Sequence, residues 1–162
     1  MLHAFRIKNG QLWFCNRFTQ TTRYLEEKKA GHAIYDRLGE LYHFGVLKPP
    51  IRMLQGKIGY TKAKIPHKGG TSNTAMIHHA KRTFALVESD LPFHVKVEES
   101  EKNFDIKSIG YDDYEGQLIH NVSAHPKVDA RTGNLYAFGY NFTEPILHFS
   151  VFDKNRFCNL KN

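Results

Sequence analysis

Ten histidines are spread through the 162 residues, and the one at 125 has the most constrained setting. In "NVSAHPKVDARTGNLYAFGYNF", from Asn121 to Phe142, a polar strand end meets His125 and Pro126 follows at once. A turn built from Asp129, Arg131, Thr132 and Gly133 comes next, and then an aromatic strand. The proline limits the backbone beside the imidazole, and the turn sends the chain back. The other histidines are less informative. His78 and His79 are neighbours on an expected strand, so they point to opposite faces and cannot chelate one ion, one reading as inward and one as exposed. His120 lies five residues before His125, and His94 and His148 fall in two separate strands. There is no H-x-x-x-H helix, no G-x-S-x-G elbow and no phosphate loop. Spacing alone therefore leaves each histidine as either a packed side chain or a metal ligand.

The elements that must position these residues read mainly as strands. Leu2 to Lys8 and Gln11 to Phe18 flank Asn9-Gly10, the preferred two-residue hairpin turn, because both of its residues accept positive φ. Thr74 to His79 and Thr83 to Glu88 form a second hairpin, expected to turn on Ala80-Lys81-Arg82. Phe93 to Val97 and Phe104 to Ile109 alternate apolar and polar residues as half-buried strands do. Residues 83–97 and 134–152 share a pattern of strand, short proline-bearing turn and alternating strand. Phe84 and Leu135 lie 51 residues apart, near the period of about 50 found in some propeller blades. The expected class is all-β, with radially repeated antiparallel sheets rather than a sandwich. One domain covers 1–162, with an insertion over 24–70. Tyr24 to Leu41 suits one or two short helices broken at Gly31 and Gly39, and a proline- and glycine-rich excursion follows.

Composition narrows the class further. Apolar content of 41% and aromatic content of 13% suit a packed core. No apolar run reaches the roughly 20 residues that cross a bilayer, and "MLHAFRIKNG", without the apolar core of a signal peptide or the Ser/Arg-rich length of a transit peptide, reads as a strand. Cys15 and Cys158 imply a reducing compartment rather than a disulfide framework. The sequons at Asn121 and Asn141 are chance matches on this reading. Charge is uneven: residues 1–82 hold 15 Lys/Arg and 4 Asp/Glu, a net of +11, and residues 83–162 hold 8 and 12, a net of −4. No acidic residue lies between Glu40 and Glu88, while Lys48, Arg52, Lys57, Lys62, Lys64, Lys68, Lys81 and Arg82 do. Such a segment suits an anionic membrane surface, a polynucleotide or plain solvent.

Four stretches carry a resemblance. "SAHPKVDARTGNLYAFGY" is similar to the A-H-P-K-V-D-x-x-T-G stretch and aromatic strand of the carotenoid cleavage dioxygenases. Residues 70–97, "GTSNTAMIHHAKRTFALVESDLPFHVKV", resemble that family's N-T-A, hairpin and L-x-E-x-D-x-P pattern. "MLHAFRIKNG" resembles its early D-G-M-x-H strand, and "RFTQTTRYLEEKKAG" the segment after it. The resemblance implies a seven-bladed propeller whose axis holds Fe(2+) through four histidines from different blades. His125, the histidine of A-H-P, is then the first ligand, and neutral imidazole suits iron(II). Glu88 falls at a carboxylate that supports a ligand histidine from outside the metal's own shell. In the family that ligand is another than the A-H-P one.

The implied reaction is cleavage of a carotenoid or apocarotenoid double bond with O2 to two carbonyl products. The basic segment would lie at a tunnel mouth in peripheral contact with membrane, with Leu47, Ile51, Met53, Leu54 and Ile58 as apolar anchors. Localisation would be cytoplasmic or plastid-stromal. Because the three further ligand histidines have no counterpart, the chain is expected to be an internal portion of two to three blades, inactive alone. Two rival readings are a non-catalytic product that binds membrane lipid or apocarotenoid, and a basic nucleic-acid-binding domain. The second has no recognised base-reading motif, so no nucleic-acid partner is expected.

Overall fold

The computed structural model describes residues 1–35, 69–88, 90–100, 104–140 and 145–161. Strands β1 (Leu2–Lys8) and β2 (Gln11–Arg17) pair antiparallel. Their turn has Asn9 at φ 51 and Gly10 at φ 72, the left-handed pair that the sequence predicts. Helix α1 (Thr22–Ala30) follows. The Thr21 side chain caps it by accepting from the Tyr24 N–H, and Gly31 closes it at φ 74. The remainder of the expected helical and basic insertion, including Lys48, Arg52, Lys57, Lys62, Lys64 and Lys68, lies outside the described residues.

Two four-stranded antiparallel meanders make up most of what remains. The first comprises β3 (Ala75–His79), β4 (Arg82–Leu86), β5 (Phe93–Glu99) and β6 (Phe104–Tyr111) in sequential order. The second comprises β7 (Lys127–Val128), β8 (Leu135–Tyr140), β9 (Leu147–Phe152) and β10 (Cys158–Lys161), also sequential. Each meander is the unit of a propeller blade. The internal similarity is structural: β4–β5 and β8–β9 are the second and third strands of their blades.

The β3–β4 turn differs from expectation. It has two residues, Ala80 at φ 48 and Lys81 at φ 63, and Arg82 already pairs with His79 inside the ladder. The hairpin's twist demands left-handed backbone even where neither glycine nor asparagine supplies it, at a cost of about 1–2 kcal/mol per residue.

The layers are hairpin, first blade and second blade. Leu2 and Cys15 of the hairpin pack with Ala85, Phe93, Val95 and Ile106 of the first blade. On the opposite face, Phe84 and Leu86 join Tyr114, Leu118, Val122, Ala124, Leu135, Ala137 and Phe152. Strand β4 thus contributes successive residues to two cores, which is why "TFAL" lacks the polar alternation of a strand with one wet face. Each such buried Leu, Val or Phe stabilises the fold by about 1.5–3 kcal/mol relative to leaving it exposed.

Candidate metal centre

The seam between the blades is closed at one end by buried polar groups. His79, at the end of β3, is 2% exposed. Its Nε2–H donates to the Gly133 carbonyl (3.1 Å), so Nδ1 is the acceptor and takes the Tyr114 hydroxyl (2.9 Å). Burial, the largest influence, lowers the His79 pKa and keeps the ring neutral. Burial likewise pushes the Tyr114 phenol up. Beside them Arg156, 8% exposed, bonds Asp112 Oδ1 through Nη2 (2.5 Å) and Glu115 through Nε (3.2 Å), and its guanidinium lies 4.2 Å from the Tyr114 ring centroid. Arg82 Nη1 takes Asp112 Oδ2 at 2.6 Å. Burial alone would raise the Asp112 carboxyl, but the Arg156, Tyr114 N–H and Arg82 hydrogen bonds outweigh it and hold it below its usual value. His78, the neighbour, is exposed and contacts Thr83 Oγ1. One histidine of the pair is in and one is out.

At the other end of β4 the chain reaches Glu88, and there the seam is open. The 121–125 run is strung between the blades: Val122 N–H donates to the Asp90 carbonyl (3.0 Å), and Ser123 N–H donates to the Phe138 carbonyl (2.6 Å). Gly139 permits this approach, since a Cβ there would stand 1.9 Å from the Asn121 carbonyl oxygen. The Ser123 hydroxyl, in a residue 2% exposed, donates to Glu88 Oε2 (2.9 Å) and accepts the His125 N–H (3.2 Å). Glu88 Oε1 then lies 3.2 Å from His125 Nε2. The His125 side chain is 65% exposed and that of Glu88 37%.

The turn after His125 is held by its own side chains. Asp129 accepts the Arg131 N–H and the Thr132 hydroxyl through its carboxylate, and the Gly133 N–H through its carbonyl; Gly133 sits at φ 75. The backbone N–H of Arg131, the leading cause, lowers the Asp129 pKa. His120, five residues before His125, is buried, with Nδ1 on the Asn121 carbonyl and Nε2 on Ser150 Oγ, and it stacks on His148. His94 is half-buried on β5, its pKa lowered first by burial and then by Arg82.

The structure brings two of the sequence-predicted residues together, His125 and Glu88. Their donor chemistry fits one ligand position, an accessible imidazole beside a carboxylate able to accept its N–H. Among the described residues, no group of three or more His, Cys, Asp or Glu is placed to hold a metal ion. The family pattern assigns this carboxylate to a different ligand, whereas here it faces His125 itself. Ser123 was missed from sequence. Its only signal was a hydroxyl two residues before the histidine, the spacing of a side chain that takes the i+2 backbone N–H.

Comparison with known proteins identifies the family and the fold. The chain is 36% identical over 158 residues to carotenoid 9,10(9',10')-cleavage dioxygenase 1 of Pisum sativum, covering 97% of this chain and 28% of that protein. Among solved structures, the lignostilbene dioxygenase of Pseudomonas brassicacearum superposes with a TM-score of 0.72 at 23% identity, covering 98% of this chain and 29% of that one. A cobalt-substituted Synechocystis apocarotenoid oxygenase superposes with a TM-score of 0.59 at 20% identity, over 99% of this chain and 32% of its own. These two likenesses identify the fold, a propeller of which the chain spans about a third or less. The retinal pigment epithelial membrane protein (RPE65) family model matches residues 1–161, and the chain belongs to that family, the carotenoid cleavage oxygenases.

Proposed function

We propose that these residues serve a non-haem iron(II) dioxygenase that cleaves a carotenoid or apocarotenoid double bond with O2, giving two carbonyl products. The observation that carries this reading is the 36% identity along 97% of the chain to a carotenoid cleavage dioxygenase, with the A-H-P imidazole at an accessible, carboxylate-backed position. His125 would hold the ion, and Glu88 would orient an imidazole by accepting its N–H. The bound ion supplies the oxygen chemistry. The chain supplies a rigid mount: the bonds from Val122 and Ser123 to two different blades fix the approach of the His125 backbone. One imidazole and one carboxylate do not define a geometry for iron(II), so in this reading the 162 residues alone do not turn over substrate.

The test joins these residues to the remaining blades of a relative. His125→Ala should then abolish bound iron and carotenoid cleavage while the thermal midpoint stays within a few degrees. Full iron content in that variant would remove His125 from the ligand set.

Peripheral membrane contact through Lys48, Arg52, Lys57, Lys62, Lys64 and Lys68 belongs to the same reading, in either cytosol or plastid stroma. No described helix is long and apolar enough to cross a membrane. Replacing Lys57, Lys62, Lys64 and Lys68 with Gln should weaken binding to anionic vesicles by about 1 kcal/mol per charge at most. Unchanged partition at low salt would make the segment a solvated loop.

A second reading, a non-catalytic product that binds membrane lipid or apocarotenoid, draws on the single accessible imidazole and carboxylate that the described residues bring together. Salt-sensitive vesicle binding without iron would favour it.

A further inference from the structure

The serine two residues before His125 is buried, yet both of its hydroxyl bonds serve the open end of the seam. A serine hydroxyl has one proton to give and lone pairs to receive with. Here the proton goes to Glu88 Oε2 at 2.9 Å, and a lone pair takes the His125 N–H at 3.2 Å. The backbone of the same residue is fixed to the second blade by the 2.6 Å bond from its N–H to the Phe138 carbonyl. One residue therefore ties together a strand of the second blade, the carboxylate that follows β4 of the first, and the histidine backbone.

The consequence for Glu88 is geometric. A half-exposed glutamate has several rotatable bonds and no reason to favour one rotamer. With Oε2 taken by the hydroxyl, Oε1 is the oxygen left to face His125 Nε2, at 3.2 Å.

We infer that Ser123 is a positioning residue for the candidate metal centre: its hydroxyl orients the Glu88 carboxylate toward the His125 imidazole. The inference rests on the reading of His125 and Glu88 as site residues, but the contact it concerns exists in this chain without any metal. A purely local role for Ser123, capping the His125 N–H, would leave Glu88 uninvolved. The two roles separate in a double-variant cycle.

The experiment follows the ring resonances of His125 by NMR in the 162-residue chain labelled at histidine, with thermal unfolding recorded alongside. Ser123→Ala should move those resonances in the direction and by most of the amount that Glu88→Ala does. Ser123→Thr, which keeps the hydroxyl, should restore them to the wild-type positions. In a Glu88→Ala background, Ser123→Ala should add only the small remainder that comes from the lost His125 N–H bond. Unmoved resonances in Ser123→Ala, or an equal shift with and without Glu88, would overturn the inference. If Ser123→Ala fails to fold, Ser123→Cys replaces it, keeping the size with a much weaker donor, and the same two outcomes decide. The ligand reading fails independently, by iron retained in His125→Ala of the blade-completed protein; that result leaves the NMR cycle untouched.

Discussion

The two ends of the seam between the blades use the same residue type in opposite ways. At the closed end, His79 is 2% exposed, gives Nε2–H to one blade's turn and receives a phenol proton at Nδ1. Every hydrogen-bonding capacity of the neutral ring is used. At the open end, the His125 side chain is 65% exposed and has one side-chain partner among the described residues, a carboxylate at 3.2 Å. A histidine with both nitrogens satisfied inside protein is a structural pin. One mounted rigidly by its backbone but left accessible at its ring can take a further ligand. Burial and backbone attachment tell the two apart, and histidine spacing does not.

The sharpest way to break the comparison is at the closed end. Asp112→Ala leaves the buried Arg156 guanidinium with only the more exposed Glu115 as a carboxylate partner among the described residues, and loss of one partner from a buried pair typically costs about 3–5 kcal/mol. Thermal or urea unfolding should show it as the largest single loss in this set. A change no greater than that of a surface substitution would mean that the seam is wet.

His79→Ala should come next, at about 2–3 kcal/mol, from a lost side chain and the orphaned Tyr114 hydroxyl and Gly133 carbonyl. It also carries a pH signature. The folded pKa of His79 lies below its ordinary 6.5, so the unfolded chain binds the proton first. Its contribution is fully present above pH 6.5 and is lost as pH falls from there through the lower folded value. Unfolding free energy followed from pH 8 to 5 should therefore fall less steeply in His79→Ala. His94, shifted the same way by burial and Arg82, keeps part of the slope in the variant. Identical slopes would show that His79 is as easily protonated folded as unfolded.

His125→Ala sits at the small end, within about 0.5 kcal/mol of wild type, as expected of an exposed side chain that contacts a half-exposed carboxylate. A loss comparable to that of His79→Ala would erase the contrast between the two ends.

Much of the framework was legible because it is local. Asn9-Gly10 announces its own hairpin, and alternation marks β5 and β6. The likeness between 83–97 and 134–152 corresponds to the same two strand positions in successive blades. The turn at Ala80-Lys81 was misjudged by one residue because neither side chain advertises positive φ. The closed end of the seam was illegible for a different reason. Asp112 and Arg156 are 44 residues apart, and His79 meets Tyr114 and Gly133 only after two blades have stacked. Glu88 and His125 were found through resemblance, and their contact through Ser123 depends on two inter-blade backbone bonds that no local pattern encodes.

Strand β4 has one more consequence. Ala85 belongs to the core shared with the hairpin, while Phe84 and Leu86 belong to the core shared with the second blade. The two cores therefore share a wall one strand thick. Any fluctuation that disorders β4 opens both at once. Cooperativity here does not come from a large common interior. It comes from a single element with no wet side, which binds three thin layers into one melting unit.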